Sequence, residues 1–278
     1  MKKKKKFIGM STVWMVFFSL TACSSQSETK AQPAPQKEIN EEGYGEESVM
    51  ADLWYQNSGE AEALYYQGYS LGKLKLDEAM EKETSQNPAI VLDLDETVVD
   101  NSPWHSLVVK TGKGYPYKRD EWVKNASAKA LPGAVDFLNY ANKIGVKIYY
   151  ISNRKPNRLD HTIKNLKMIG APQATKEHVL LSEPNKEGKE SRVQRVDQSH
   201  DILLFFGDNL SDFPGFKGKS LEERNKIVND EKDKFGSKFI IFPNPMYGDW
   251  EDVLYDFKDK TNQQKVEIRK DYLQYFEK

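Results

Sequence analysis

The spacing of apolar residues changes along the chain, and this change predicts a helical segment followed by alternating strands and helices. From residue 48 to about residue 82, apolar residues recur every three to four positions with no proline among them, which is the spacing of an amphipathic helix. We expect one or two long helices there, with a break near Asn57-Ser58-Gly59. Further along, short apolar runs predict β-strands at 89–92, 146–151, 179–181, 202–206 and 239–242.

Helical patterns separate the predicted strands. They cover about 132–144, 156–168, 189–196 and 221–235, and glycine follows three of them, as is common at helix ends. Strands that are apolar almost throughout and alternate with helices are typical of a parallel sheet covered on both faces. We therefore predict an α/β fold with a doubly wound parallel sheet. Residues 250–276 also have a helical pattern, and we expect them to pack with the N-terminal helices as a small helical side domain.

The N-terminal 23 residues predict a secretory leader that ends in a lipidated cysteine. Five lysines, Lys2 to Lys6, precede an apolar run over 7–20, which is shorter than the roughly 20 residues that a bilayer-spanning helix needs. The motif Leu20-Thr21-Ala22-Cys23 resembles the lipobox of bacterial lipoproteins, whose cysteine is lipidated and becomes the new N-terminus. The alternatives are an ordinary cleaved signal peptide or a short N-terminal anchor.

These features divide the chain into a leader (1–22), a lipidated Cys23 with a flexible tether (23–47) and a folded body (48–278). The tether is rich in Ser, Gln, Pro, Glu and Gly, so it lacks the apolar groups that would offset the entropy of ordering. In the body, we place the core at about 88–245 and the helical extensions at about 48–86 and 249–276. A stable anchor through several acyl chains on one cysteine would hold the body at a membrane.

Composition and charge exclude several classes of protein. The 278 residues are 38% apolar and 30% charged, with a mean hydropathy of −0.73, which excludes collagen-like, low-complexity and polytopic membrane proteins. The net charge is −1, and removal of the five leader lysines would leave 36 basic against 42 acidic residues, so a basic footprint for a nucleic-acid polymer is missing. Cys23 is the sole cysteine, which excludes an internal disulfide and a Cys-rich metal site.

Polar side chains gather directly after three of the predicted strands, at the edge where α/β sheets bind their ligands. They are Asp93 and Asp95 after the first, Ser152 and Asn153 after the second, and Asp208 and Asp212 after the fourth, with Lys189 at the start of the preceding helix. Four carboxylates in one crevice would repel one another without a divalent cation. Oxygen ligands without His or Cys favour Mg²⁺. Taken singly, Ser152, Asp208 and Asp212 are also explained as helix caps.

Taken together, these motifs resemble the haloacid-dehalogenase (HAD) superfamily of aspartate-dependent phosphatases. They are most similar to its bacterial class C acid phosphatase branch, whose members are commonly lipoproteins. That branch is marked by paired aspartates at both ends of its motif set, here Asp93 with Asp95 and Asp208 with Asp212. The resemblance spans about residue 48 to the end of the sequence.

The resemblance implies a role for each residue of the motifs. Asp93 would be the nucleophile that forms an aspartyl-phosphate, and Asp95 the general acid and base. Mg²⁺ would be held by the Asp93 carboxylate, the Asp95 backbone carbonyl and Asp208, with Asp212 bound directly or through water. The phosphate oxygens would be held by Ser152, the Asn153 backbone amide and Lys189.

The choice of lysine is the least constrained of these assignments. Lys186, Lys189 and Arg192 share one face of the predicted helix, and any of the three could reach a phosphate. The spacing Lys-x-x-Lys-x-x-Arg resembles the family pattern, in which the second lysine is the functional one. A Walker-type phosphate loop at 215–220 is excluded because Phe213 stands where its first glycine is needed. No histidine of the sequence lies in an Arg-His-Gly context, which excludes a histidine-phosphatase mechanism, and none lies at metal-ligand spacing, which excludes a binuclear-zinc mechanism.

Aromatic residues near the motifs indicate a substrate with a planar group. Trp104 and Tyr247 are the candidates, since a ring beyond the strand ends can stack on a base. The resemblance points the same way, because members of the class C branch have aromatic residues that sandwich nucleobases and include 5′-nucleotidases. Trp104, Tyr115, Tyr117 and Trp122 fall in a segment that we predict to be irregular. The alternative is that these rings belong to the core. No sizeable insertion lies between the motifs, so we expect an open site and broad acceptance of phosphomonoesters.

The sequence therefore predicts a lipid-anchored, extracytoplasmic, Mg²⁺-dependent acid phosphatase that acts on nucleoside monophosphates and related esters. Its expected partners are a small phosphomonoester and the membrane, with a homodimer left open. Two rival functions are a nucleotide-binding lipoprotein without turnover and a phosphotransferase. The complete pair of Asp93 and Asp95 disfavours the binding protein, because binding alone needs no proton donor.

Overall fold

The computed structural model describes residues 41–82, 86–186 and 188–276. The predicted leader, Cys23 and most of the predicted tether lie outside the described residues. The helices are α1 (Glu41–Glu46), α2 (Val49–Asn57), α3 (Gly59–Met80), α4 (Ser102–Thr111), α5 (Arg119–Asn125), α6 (Ala134–Lys143), α7 (Leu159–Met168), α8 (Glu190–Asp197), α9 (Leu221–Asp230), α10 (Asp249–Asp252) and α11 (Asn262–Asp271). The strands are β1 (Pro88–Leu92), β2 (Val99–Asp100), β3 (Lys129–Ala130), β4 (Lys147–Ile151), β5 (Val179–Leu180), β6 (Asp201–Gly207) and β7 (Phe239–Ile241).

Within the described part of the chain, the strands form a five-stranded parallel sheet and a separate antiparallel pair. The order in the large sheet is β5-β4-β1-β6-β7. In its centre Val91 pairs with Tyr149 of β4 on one side and with Phe205 of β6 on the other. The sheet confirms the predicted parallel α/β fold, with all five predicted strands present. Because β1 lies between β4 and β6, the carboxyl ends of these three strands are neighbours.

Side chains of β1 alternate between two apolar cores, one on each face of the sheet. Ile90 and Leu92 lie in a core with residues of α3, α6 and α7. Ala89 and Val91 lie in a second core, which includes residues of α8 and α9. Alternation along a strand places successive side chains on opposite faces, so burial of all four residues requires helices on both sides.

Helix α3 packs on the sheet, whereas we predicted it as part of a helical side domain. Its buried face carries Tyr65, Tyr69 and Leu76, which join the core on that side. Two glycines allow the close approach: a Cβ on Gly72 would lie 2.6 Å from Phe206 Cε1, and one on Gly68 would lie 2.4 Å from a ring carbon of Phe242. The side-domain prediction therefore describes only part of the N-terminal helices, since α1 contacts α4 and α11, and α2 contacts α4.

Other segments also differ from the prediction. The segment after the first motif contains α4, α5 and the β2–β3 pair, where we predicted irregular chain. Helix α1 occupies the last part of the predicted tether. There the Arg269 guanidinium stacks 4.9 Å from the Tyr44 ring centroid and pairs with Glu47 at 2.8 Å, so these residues do have contacts that offset ordering. At the other end of the body, the regular helix ends at Asp271. Among the described residues, no helix is both long and apolar enough to cross a bilayer.

Candidate active site

The residues singled out from the sequence meet at the carboxyl ends of the central strands. Asp93 directly follows β1, Ser152 directly follows β4, and Asp208 directly follows β6. Lys189 directly precedes α8. All four are buried, with at most 7% of each residue exposed. Strands β1, β4 and β6 are neighbours in the sheet, and Lys189 contacts Asp93 from the start of α8. The fold therefore brings side chains from distant stretches of the chain to one place.

Three carboxylates form an acidic trio, which we define as Asp93, Asp208 and Asp212. One oxygen from each lies within 4.8 Å of the others. The Lys189 ammonium contacts the Asp93 carboxylate and lies 2.7 Å from Asp212 Oδ1. Burial raises the pKa of Asp93 to about 7 against the opposing effect of Lys189. Burial, together with repulsion from Asp212 and Asp93, also raises the pKa of Asp208 well above its usual range. One ammonium leaves this cluster with excess negative charge, and its donor set of oxygens fits a divalent cation.

Hydrogen bonds fix the orientation of the two carboxylates that follow β6. Asp212 Oδ2 accepts from the backbone N–H groups of Asp208 at 3.1 Å and Asn209 at 3.0 Å. Asp208 Oδ2 accepts from the side-chain amides of Asn209 at 2.7 Å and Asn244 at 2.8 Å. A Cβ on Gly207 would lie only 2.4 Å from Asp212 Cβ, so a glycine is needed where the strand meets this loop. Asp212 Oδ1 thus contacts Lys189, whereas Asp208 Oδ1 accepts a long hydrogen bond, 3.5 Å, from the Thr97 hydroxyl.

Asp95 has the opposite electrostatic environment. Its Oδ1 accepts from Arg119 Nη2 at 2.6 Å, Arg154 Nη2 at 2.7 Å and Asn101 Nδ2 at 2.7 Å, and the Ser152 hydroxyl lies 3.4 Å from Oδ2. Burial raises the pKa of Asp95, but Arg154 and Arg119 outweigh it, so that the net pKa lies below the usual range. The pKa values of the two aspartates in this motif are therefore shifted in opposite directions, because, of the two, only Asp95 is contacted by Arg119 and Arg154.

A tight turn brings Asp95 to the same crevice as Asp93. The Leu94 carbonyl accepts from the backbone N–H groups of Val98 and Val99, both at 2.9 Å. Glu96 has a φ of 58°, a left-handed conformation that is uncommon for a residue other than glycine. Helix α3 supports this turn, since the Tyr65 hydroxyl donates to the Glu96 carbonyl and the Tyr69 hydroxyl to the Thr97 carbonyl.

Arg192 joins the segments that carry the proposed phosphate ligands. Its fully buried guanidinium donates to the carbonyl oxygens of Ser152 at 2.5 Å, Leu180 at 3.1 Å and Gly188, and to Asn153 Oδ1 at 2.7 Å. Asn153 itself is exposed at the edge of the crevice. Arg192 therefore lies behind the crevice and holds the loops after β4 and before α8 in place.

The structure separates the candidate lysines. Lys186 is exposed and lies 3.2 Å from Glu183, whereas Lys189 lies between Asp93 and Asp212. Sequence reasoning did not single out Arg119, Arg154, Asn101 or Glu96. Arg154 directly follows Asn153 in the second motif, which was a usable signal; the partner that Arg119 reaches from α5 is visible only in three dimensions.

A cavity of about 810 Å³ opens beside Asp95 and is lined by both candidate aromatic residues. Trp104 is buried; its indole N–H donates to the Tyr117 carbonyl at 2.9 Å, and the Arg119 guanidinium lies 4.7 Å from its ring centroid. Tyr247 is half-buried, and its hydroxyl donates to the Glu96 carboxylate. The structure therefore places both rings in the wall of a cavity that adjoins the crevice.

The parallel sheet and the helices on both of its faces define a protein with the haloacid-dehalogenase-like α/β fold. A family model supports the same class at the level of sequence. The chain belongs to the HAD superfamily, subfamily IIIB (acid phosphatase), whose model matches residues 17–250. The predicted fold class and the predicted family are both confirmed.

Solved structures of the class C acid phosphatase from Bacillus anthracis are similar to this chain. Two of them, one with tungstate bound, each show 62% identity and a TM-score of 0.83, and the match covers 84% of this chain and 99% of theirs. This agreement extends over nearly all of the solved chain, so the similarity concerns the whole fold.

Curated relatives are more distant. The Stem 31 kDa glycoprotein of Glycine max is 28% identical over 179 residues, which is 61% of this chain and 63% of that protein. Acid phosphatase 1 of Solanum lycopersicum is 26% identical over 169 residues, 56% of this chain and 57% of that protein. The chain thus spans between 57% and 63% of the length of the curated relatives it matches.

Proposed function

We propose that this protein hydrolyses phosphomonoesters and that Asp93 is the nucleophile, which forms an aspartyl-phosphate intermediate. One observation carries the proposal: oxygens of Asp93, Asp208 and Asp212 lie within 4.8 Å of one another beside the Lys189 ammonium. A carboxylate can approach a phosphate dianion only if positive charge offsets their repulsion. Similarity to an acid phosphatase over most of the chain supports the same reaction class.

The proposed cofactor is Mg²⁺. The carboxylates of Asp93, Asp208 and Asp212, with the backbone carbonyl of Asp95, would hold it. Its donors would all be oxygen atoms, which Mg²⁺ prefers over nitrogen or sulfur. When bound, the ion would lower the charge repulsion between the nucleophile and the phosphoryl group.

Two displacements at phosphorus follow from these roles. In the first, an Asp93 oxygen bonds to phosphorus, the ester P–O bond breaks, and the leaving alkoxide takes a proton from the Asp95 carboxyl group. In the second, Asp95 accepts a proton from a water whose oxygen attacks phosphorus, the bond to Asp93 breaks, and phosphate leaves. Lys189, the Ser152 hydroxyl and the Asn153 backbone amide hold the phosphoryl oxygens. Arg154 and Arg119 favour the carboxylate form of Asp95, which serves the second step; an acidic working pH favours the proton that the first step needs.

The proposed substrates are nucleoside monophosphates and related esters. The cavity beside Asp95 has a volume of about 810 Å³, within the range of small-molecule sites. Trp104 and Tyr247 line it, and an aromatic ring can stack on a nucleobase. Asp95, Asn153 and Asn209 also line this cavity, so a phosphate held beside Asp95 would have its organic group on the side of these rings.

The proposed location is the outer face of the cell membrane, with a lipid on Cys23 as the anchor. The lipobox-like motif and the five-lysine leader support it. In this position the enzyme would release phosphate and dephosphorylated products outside the cell.

A phosphate-release assay tests the reaction. Purified wild type and the variants Asp93→Asn and Asp160→Asn are supplied with nucleoside monophosphates and sugar phosphates, with Mg²⁺ or with EDTA. Asp160 serves as the matched control because its side chain is 80% exposed on α7. We expect turnover in wild type and Asp160→Asn, and its loss in Asp93→Asn and in EDTA. Activity that survives both treatments would contradict the mechanism, and nucleotide binding without turnover in wild type would favour a binding protein.

A further inference from the structure

A buried pair of side chains lies behind the substrate cavity. His105 of α4 and Asp52 of α2 are 6% and 5% exposed, and His105 Nδ1 lies 2.7 Å from Asp52 Oδ1. The two residues are 53 positions apart in sequence. Through this pair, helix α2 reaches a residue that lines the cavity.

Burial of the Asp52 carboxylate costs folding free energy. A carboxylate in the interior destabilises a fold unless its oxygens are hydrogen-bonded. Asp52 Oδ2 has no hydrogen-bond partner in the part of the chain that the structure describes, so the side chain is bonded through Oδ1 to His105. An apolar residue of similar size would fill this position without that penalty. The pair therefore points to a role in orienting the imidazole ring.

The imidazole ring in turn supports Tyr247. The His105 and Tyr247 rings are stacked, with centroids 5.4 Å apart and planes 25° from parallel. The Tyr247 hydroxyl donates to Glu96, the residue that follows Asp95. The tyrosine is thus held across one face by His105 and at its hydroxyl end by Glu96. A ring held in this way loses little freedom when a ligand stacks on its other face.

We infer that Asp52 and His105 are positioning residues that set the preference of the site for esters with a planar heteroaromatic leaving group. This inference rests on the proposed phosphomonoesterase function. Asp52 fixes the plane of the His105 ring, His105 fixes the plane of Tyr247, and Tyr247 forms one wall for the leaving group. The phosphoryl group lies at the acidic trio and does not depend on this wall, so small aliphatic esters are indifferent to it.

The test compares KM and kcat for a nucleoside 5′-monophosphate and for glycerol phosphate. We expect His105→Ala to raise KM for the nucleotide about tenfold, in line with the loss of one stacked ring, and to leave kcat for both esters and KM for glycerol phosphate unchanged. His105→Phe keeps a flat ring and should restore the nucleotide KM. Asp52→Ala should raise the nucleotide KM in the wild-type background but have no effect in the His105→Phe background.

His200→Ala is the matched control. The His200 ring makes an edge-to-face contact with the Tyr149 ring, with centroids 5.3 Å apart. His200 directly precedes β6, so it lies at the amino ends of the strands, away from the crevice. This variant should leave every KM unchanged. Equal changes in KM for both esters in His105→Ala would overturn the inference. An effect of Asp52→Ala that persists in the His105→Phe background would overturn it as well.

A second measurement separates this inference from the proposed function. If wild type hydrolyses neither ester, the proposed function fails, and calorimetric titration with the nucleoside 5′-monophosphate then tests the inference by itself. We expect about tenfold weaker binding for His105→Ala than for wild type. Equal nucleotide affinity in the two proteins would contradict a positioning role for His105.

Discussion

Lys189 Nζ lies 2.7 Å from Asp212 Oδ1 and also contacts the Asp93 carboxylate. Lys189 precedes α8, Asp212 follows β6, and Asp93 follows β1, so this one side chain connects three separate segments. Burial lowers the pKa of Lys189, but Asp212 and Asp93 outweigh that effect, and its net pKa lies above the usual range. Lys189 is therefore an ammonium group between two carboxylates of the acidic trio, where we propose that it holds phosphate oxygens.

Lys189→Ala should reduce kcat/KM for phosphomonoesters by about 10²- to 10³-fold, as expected when one preorganised charge on a transition state is removed. Lys186→Ala is the matched control, since Lys186 is exposed and pairs with Glu183 at 3.2 Å, and it should retain nearly full activity. Steady-state kinetics check both variants. The opposite pattern, a severe loss in Lys186→Ala with an active Lys189→Ala, would reverse our assignment of the phosphate ligand.

Mg²⁺ should stabilise the wild-type protein, because a cation relieves the repulsion within the acidic trio. At a concentration of 100 times Kd, binding adds about 2.7 kcal/mol, which corresponds to a rise in Tm of about 5–10 °C for a chain of this size. Asp208→Asn removes one carboxylate and should lose most of this rise. Thermal melts with Mg²⁺ and with EDTA measure it without reference to activity.

The exposed residue Asp160 again provides the comparison. Asp160→Asn should show the full shift in Tm with Mg²⁺. An equal shift in Asp208→Asn would mean that the ion binds elsewhere, and the absence of a shift in wild type would contradict a cation site at the trio.

Arg192→Lys should weaken the binding of phosphate groups. The guanidinium donates to the carbonyl oxygens of Ser152 and Leu180 and to Asn153 Oδ1, and a lysine cannot reproduce that fork. We expect KM for phosphomonoesters and the inhibition constant of inorganic phosphate each to rise about tenfold, as the loss of a charged hydrogen bond predicts. Arg195→Lys, on the exposed side of the same helix, should change neither constant. Unchanged phosphate inhibition in Arg192→Lys would show that the loop after β4 does not need this support.

The sheet and the acidic trio could be predicted because each depends on a local pattern. Residues such as Ile90 and Val91 face opposite cores, so β1 is apolar at every position, and a parallel sheet then brings the residues after its central strands together. That rule brings Asp93 and Asp208 together although they are far apart in sequence. It says nothing about residues that arrive from other elements.

Arg119 and Asp52 are examples of what could not be predicted. Arg119 reaches Asp95 from α5, a short helix whose position depends on how the segment folds back over the crevice. From the sequence, Asp52 would be expected on the exposed face of an amphipathic helix. The structure shows that it is buried and that its carboxylate contacts His105. Helix α4, in contrast, did carry signals: Pro103 lies near its start, and Gly112 ends it with a φ of 66°, which is the usual placement of these two residue types.

Cys23→Ser should release the protein from membranes. If the lipobox-like motif is processed as proposed, the acyl chains on Cys23 supply the membrane affinity, because each buried CH₂ group contributes about 0.8 kcal/mol and several chains on one residue give a stable anchor. Fractionation of cells that express wild type or Cys23→Ser, with phosphatase activity as the marker, checks this; Ser24→Ala, which keeps the cysteine, should fractionate like wild type. A Cys23→Ser protein that stays wholly with the membranes would contradict a lipid anchor and favour a leader that is retained as an N-terminal anchor.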